Sequence, residues 1–219
     1  MVEPLGSPDA DAPNVSYIVS AFDRPDHLGC VLYSIKAQTD QSFEVIVTDN
    51  GGDARNENVV ARLDDSRFRY IDTSKASGNQ TSPAWDCYWS GEFGGRLAKG
   101  RYLCFPSDDG YYVPCFQKKL VTTADQMDWQ LVFCDMLLDR PAGPYVDPPV
   151  QIQNVLDVKP MVGCIDKTGF LIRRESWIGW PTKPEDRFRG SAADGEMIDI
   201  VRRNGIRFGK LNEVLCVHN

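Results

Sequence analysis

Asp49, Asp108, Asp109 and Asp194, with His218 late in the sequence, are the side chains best suited to do chemistry. Three of the four acids fall in short polar clusters. Ser20-Ala21-Phe22-Asp23, Asp49-Asn50-Gly51-Gly52 and Ser107-Asp108-Asp109-Gly110 each follow an apolar run that reads as a strand. Carboxylates gathered in this way suit hard cations such as Mg²⁺ or Mn²⁺, which prefer oxygen ligands. One such cluster would mean little, because turns after strands are rich in Asp, Asn and Gly for conformational reasons alone. Three at successive strand ends form a pattern, since ligands of open α/β sheets bind beyond the carboxyl ends of the strands. Asp194 could accept a proton. It also sits in Ser191-x-x-Asp194, a capping-box-like helix start where an acid is favoured anyway. Glu196 is a second candidate in the same stretch. His218 has two readings, an exposed tail residue or a group pinned in the fold by the apolar Val214-Leu215-Cys216-Val217 before it. His27 reads as a helix-surface residue.

The elements that must position these groups alternate between two periods. A β-branched run at 15–19 predicts a first strand. Pro25 then opens a helix whose apolar face is Leu28, Val31, Leu32 and Ile35. Strands are expected at 43–47 and 68–71, with a short helix over 57–63 between them. This β-α-β-α-β order predicts a mostly parallel sheet with helices on both faces. Ser82-Pro83 opens a further helix whose far end Gly91, Gly94 and Gly95 should weaken. Strands at 101–105, 130–135 and 169–173, a helix after Pro114, a helix over 191–204 and a last short strand at 206–211 complete the reading. The five prolines between 141 and 160 mark a long loop between two halves of one domain. Residues 1–14, with Pro4, Pro8 and Pro13, read as a flexible N-terminal segment, and 15–219 as a single domain.

Composition narrows the function classes. The 219 residues carry a formal charge of −7, so nucleic acid and anionic lipid are poor partners. Such a surface must neutralise any bound polyphosphate locally, with a cation or a few placed basic groups. Seven cysteines with no C-x-x-C spacing predict reduced thiols, a cytoplasmic setting and no zinc site. No apolar stretch reaches the roughly 18 residues that span a bilayer, and no signal peptide opens the chain.

The stretch Ile18–Pro25 (IVSAFDRP), followed by SIKAQTDQSFEVIVTDNGGD, resembles the opening of family 2 glycosyltransferases. RYLCFPSDDGYYVP, from Arg101 to Pro114, is similar to the Asp-rich turn those enzymes carry about 100 residues in. The resemblance covers residues 15–124 well and the rest more loosely. It implies a single GT-A (Rossmann-like) α/β domain with a central, mostly parallel sheet flanked by helices. Residues 15–124 would form a nucleotide-sugar-binding half and 125–219 an acceptor and catalytic half.

By that resemblance the chain transfers a sugar from a nucleotide diphosphate, expected to be UDP, to a carbohydrate or other hydroxyl-bearing acceptor. Asp109 would be the metal ligand for Mn²⁺ or Mg²⁺, and Asp108 would face the ribose or the ion's water shell. Ser107 stands where many members have a leading Asp, which argues for an ion that arrives largely bound to the donor. His218 would add a nitrogen ligand. Ser20, Ala21 and Phe22 would contact the base, Asp49 and Asn50 the base and ribose, and Asn79 the donor. Asp194, eleven residues before Gly205, keeps the spacing of the family's general base, with Ala193 where a Glu is usual. The family's Arg-Asn pair in the helix after Asn79 is missing. Trp177, Trp180 and Arg187-Phe188-Arg189-Gly190 could stack on sugar and close over a diphosphate, although core packing is the commoner fate of Trp. Arg173-Arg174 and Arg202-Arg203 read as solvated. A homodimer is left open. Rival readings are a retaining enzyme of the same fold, a sugar-nucleotide pyrophosphorylase, disfavoured by the glycine-free 20–25 loop, and a non-catalytic nucleotide-sugar-binding module.

Overall fold

Every residue of the first strand, β1 (Val15–Ala21), is buried, which requires a layer of packing on each face of it. Val15, Tyr17, Val19 and Ala21 belong to one apolar cluster and Ile18 to another on the opposite face. The fold is seen in a computed structural model that describes residues 5–74, 83–138, 150–152, 166–177, 179–180, 194–195, 197 and 202–218.

Helix α1 (Pro25–Lys36) lays Leu28, Val31, Leu32 and Ile35 on the first face, as the spacing predicts. Strand β2 (Phe43–Asp49) pairs parallel with β1, and β3 (Phe68–Asp72) pairs parallel with β2, with α2 (Ala54–Ala61) between the two in sequence. Helix α2 begins earlier than the expected residue 57, because Asp53 caps it by accepting from the Arg55 N–H.

The second face is covered by α3 (Pro83–Leu97). Its three glycines lie in the second half of the helix, and Gly94 there permits a close approach to β1. A Cβ at Gly94 would lie 2.5 Å from Ile18 Cγ2, inside any tolerable carbon–carbon distance. Gly91 and Gly95 face Phe105, Trp180 and Trp177 with more room, the nearest atoms standing 3.4 Å from where a Cβ would lie. Phe105, Phe170, Trp177 and Trp180 form one aromatic core, with Trp177 2% and Trp180 4% exposed. Both tryptophans are therefore core residues, and sugar stacking is removed from their reading.

Strand β4 (Tyr102–Cys104) continues the parallel half beside β1. A short strand absent from the sequence expectation, β5 (Gly110–Tyr112), leads through α4 (Phe116–Met127) to β6 (Leu131–Leu138). Val150–Ile152 forms β7 against β6, inside the stretch read as loop. Then come β8 (Phe170–Arg173), antiparallel to both β4 and β6, and β9 (Phe208–His218), parallel to β6. The described strands order as β3-β2-β1-β4-β8-β6-β9-β5, so one mixed sheet runs through both expected halves.

The last strand differs most from expectation. It does not end at 211 but continues to His218, with register shifts opposite Cys134, Asp135 and Met136. These irregularities twist the strand and carry its end to the edge where β1, β2 and β4 also end.

Residues 5–14, read as flexible, are tied at several points. Leu5 packs on the second core, and Arg174 Nη1 donates to the Gly6 carbonyl. Arg174 Nε also donates to the Ala98 carbonyl at 3.1 Å, so this arginine is a tether rather than a solvated charge. Cys30, Cys104, Cys115, Cys134 and Cys216 are free, and no described helix is long and apolar enough to cross a membrane.

Candidate active site

The 20–23 loop and the 107–110 turn are laced together at the strand ends. Ser20 and Ser107 bridge in parallel, and the Phe22 N–H donates to Asp108 Oδ2 at 3.0 Å. Asp108 and Asp109 are only 9% and 7% exposed. Two adjacent carboxylates in such a place need positive charge beside them. Arg24 supplies part of it, with Nη1 2.6 Å from Asp109 Oδ2 and 3.7 Å from Asp108 Oδ1. Burial pushes the Asp108 carboxyl up; the Phe22 N–H opposes this, while the charge of Asp109 adds to it.

Strand β5 presses Asp109 against the end of β9. Gly110 pairs with His218, and a Cβ at Gly110 would meet the Val217 carbonyl at 2.7 Å, so only glycine fits this approach. His218 Nε2 thereby reaches 3.2 Å from Asp109 Oδ1. Its other nitrogen, Nδ1, is 2.6 Å from Asp166 Oδ2. Burial alone would lower the imidazole's affinity for protons, but Asp109 and Asp166 outweigh it and hold it up at about 9. Asp166 shows the converse: burial would raise it, yet the bond to His218 brings it below the ordinary carboxylate range. An ionised Asp166 can only accept, so Nδ1 is the donor in this pair.

The turn that holds Asp166 also holds the candidate base. Asp166 caps a 3-10 turn (Lys167–Gly169) by accepting from the Thr168 N–H at 2.8 Å. The Lys167 N–H donates to Asp194 Oδ2 at 3.1 Å, and the Tyr88 hydroxyl donates to Asp194 Oδ1 at 3.1 Å. Burial, with the nearby charge of Asp166, pushes the Asp194 carboxyl up to about 7. Lys167 Nζ lies 5.2 Å from the centre of the Tyr88 ring. Asp109, His218 and Asp194 are thus brought into one network, joined through Asp166 and Lys167.

The residues expected at the base of a nucleotide divide differently. Asp49 is fully buried, and its carboxylate accepts from Gly51 N (2.8 Å), Asp53 N (3.0 Å), Asn56 Nδ2 (3.0 Å) and the Tyr70 hydroxyl (2.9 Å). With four protein donors on it, Asp49 holds the loop in shape. Asn50 is also buried, its Oδ1 accepting from Thr73 Oγ1 at 3.0 Å. Phe22 is 36% exposed and lies over Gly51, leaving an apolar ring face at the loop's surface. Ser20 and Ala21 are buried beneath it. Asn79, Glu196 and Arg187-Phe188-Arg189-Gly190 lie outside the described residues.

Among the described residues, no group of three His, Cys, Asp or Glu side chains is arranged to close around an ion. Two atoms of types that can ligate a cation do stand close together. Neighbouring ligands bound at about 2.1 Å to one octahedral ion stand about 3 Å apart. The 3.2 Å between Asp109 Oδ1 and His218 Nε2 matches that edge. Once the Nε2 proton is displaced, these two atoms suit a divalent cation that brings its remaining ligands with it.

Four residues of this network escape the motif-based reading: Arg24, Tyr88, Asp166 and Lys167. For Asp166 a signal existed in Asp166-Lys167-Thr168-Gly169, an acid two residues before a Thr ahead of a strand, which is an Asx-turn composition.

The model of the family described as Glycosyl transferase family 2 matches residues 16–141, more than half of the chain. A curated relative, the UDP-Glc:alpha-D-GlcNAc-diphosphoundecaprenol beta-1,3-glucosyltransferase WfaP of Escherichia coli, is 27% identical over 99 residues. That alignment takes in 45% of this chain and 36% of the relative. Among solved structures, S. aureus TarS 1-349 in complex with UDP superposes with a TM-score of 0.69 at 14% identity, over 93% of this chain and 60% of that one. The mannosyltransferase PcManGT from Pyrobaculum calidifontis, in complex with GDP-Man and Mn²⁺, gives 0.67 at 19% identity, over 97% and 59%. These likenesses place the fold. The chain spans about a third of the curated relative and about 60% of the solved ones.

Proposed function

This chain belongs to glycosyl transferase family 2, and from that premise we propose that it transfers a sugar from a nucleotide diphosphate to an acceptor hydroxyl, with a divalent cation and with inversion. The observation that carries this reading is the joining of Asp109, His218 and Asp194 through the Asp166–Lys167 turn. UDP is the proposed nucleotide, since the WfaP relative uses UDP-Glc by name and TarS is seen with UDP. Asp109 and His218 would hold Mn²⁺ or Mg²⁺. When bound, the ion offsets the charge that builds on the diphosphate as the glycosidic bond breaks.

The protein's own groups account for the remaining roles. Phe22 and the loop held by Asp49 and Asn50 would receive the base, Asp108 the ribose side, and the 20–22 segment its backbone contacts. Asp194, with a carboxyl pushed up to about 7, suits proton abstraction near neutrality. It would take the acceptor's hydroxyl proton while that oxygen bonds to the anomeric carbon from the face opposite the diphosphate. The bond from the anomeric carbon to the phosphate oxygen breaks, and the electron pair leaves with the nucleotide. Tyr88 and the Lys167 N–H keep both Asp194 oxygens oriented for this step.

A thermal-shift panel of nucleotide sugars, each with and without Mn²⁺, tests the reading. A donor at about a hundred times its Kd contributes about 2.7 kcal/mol to folding. A UDP-sugar should raise the melting temperature, and more so with Mn²⁺. A flat response to every nucleotide sugar under both conditions would end the proposal.

A further inference from the structure

Among the described residues, Arg24 is a basic side chain that touches both acids of the 107–110 turn, and it is not part of the mechanism above. Its side chain is 51% exposed, whereas Asp108 and Asp109 are nearly covered. Asp109 therefore has a nitrogen neighbour on each oxygen, the Arg24 guanidinium at Oδ2 (2.6 Å) and the His218 ring at Oδ1 (3.2 Å). A divalent ion on Asp109 would add two positive charges beside a guanidinium already in contact with the same carboxylate. A half-exposed side chain can move away at low cost. Its planar fork is also well matched to phosphate oxygens, which it can grip in pairs.

We propose that Arg24 is an exchangeable counter-charge: it occupies Asp109 when no cation is present, and transfers to the donor's diphosphate when cation and nucleotide bind. Metal and donor then load as a coupled pair, because the ion alone must displace Arg24 with no anion to receive it. The chemical class recognised by Arg24 is the diphosphate of the nucleotide. This rests on the metal-site reading above, and the experiment separates the two.

Free Mn²⁺ is followed by electron paramagnetic resonance during titration of wild type, Arg24→Gln, Arg24→Lys and Asp109→Asn, each with and without UDP. Arg24→Gln should bind Mn²⁺ alone about two- to fivefold more tightly than wild type, the scale of a partly exposed ion pair. The factor by which UDP tightens Mn²⁺ binding should shrink by at least as much. Arg24→Lys keeps the charge but loses the fork, so Mn²⁺ binding alone should stay near wild type while the UDP effect falls. If Arg24→Gln melts early, Arg24→Lys decides. An unchanged UDP effect in Arg24→Lys, or no gain in Mn²⁺ affinity in a well-folded Arg24→Gln, overturns the exchange. If wild type with UDP holds no Mn²⁺ that Asp109→Asn releases, the metal-site reading itself fails, and the exchange fails with it.

Discussion

Asp166→Asn should weaken Mn²⁺ binding although Asp166 is not itself a proposed ligand. Asp166 Oδ2 stands 2.6 Å from His218 Nδ1, a charge-assisted bond that orients the ring and leaves Nε2 aimed at Asp109. Hydrogen bonds to charged groups contribute about 1.5–3 kcal/mol, and outer partners of metal-binding histidines typically count for about 10–100-fold in affinity. Mn²⁺ binding in the presence of saturating UDP should therefore weaken by about 10–100-fold in Asp166→Asn. His218→Ala should lose at least as much, and the double variant little more, since Asp166 acts through the imidazole. A second readout follows from the negative charge of Asp166, which helps to raise Asp194. Removing it should move the rising limb of the pH–rate profile to lower pH, an effect that loss of packing alone would not produce. The reasoning is refuted if Asp166→Asn binds Mn²⁺ within twofold of wild type while His218→Ala has lost it.

Asp194→Asn should reduce transfer by about 10²–10⁴-fold while UDP and Mn²⁺ binding survive, and wild-type kcat/KM should rise through a limb near pH 7 as Asp194 ionises. His218 is held up at about 9 in the folded chain against an ordinary value near 6.5, so its contribution is complete below about pH 6.5 and lost as pH climbs towards 9. The metal-free melting temperature should fall across that window, and His218→Ala should flatten the fall. Gly94→Ala places a Cβ 2.5 Å from Ile18 Cγ2, so overpacking of about 1–3 kcal/mol should exceed the helix-propensity gain of about 0.5–1 kcal/mol and lower the denaturation midpoint. Asp49→Asn turns part of a four-donor acceptor into a donor facing N–H groups, so chemical denaturation should show a loss of about 1–3 kcal/mol, whichever donor sugar is used.

The parallel half of the fold was legible because its signals are local. Val15, Tyr17 and Val19 alternate with Ile18 across a strand buried on both faces, and Leu28, Val31, Leu32 and Ile35 repeat at helical spacing. The rule that ligands bind beyond the ends of parallel strands then drew attention to Asp49, Asp108 and Asp109. The same rule concealed Asp166. Strand β8 runs antiparallel to β4, so the residues before it, and not those after it, lie at the functional edge. A motif reader looking only past strand ends passes over an acid placed just ahead of one. The packing role of Gly94 was hidden for a related reason: helix propensity is a property of a segment alone, whereas Gly94 answers to Ile18, far away in sequence.

His218 shows what the edge is built to do. Its place could not follow from the apolar 214–217 run, because what brings it to Asp109 is a pairing with Gly110 and a shifted register against β6. Both are relations between strands far apart in the chain. The consequence is chemical. The 107–110 turn meets a ring nitrogen from β9, the strand paired with β5, and that ring is held by an acid just ahead of β8. The turn carrying this acid also donates to Asp194. A change at Asp166 should therefore be felt both at the cation and at the base, a coupling that three independently placed groups would not show.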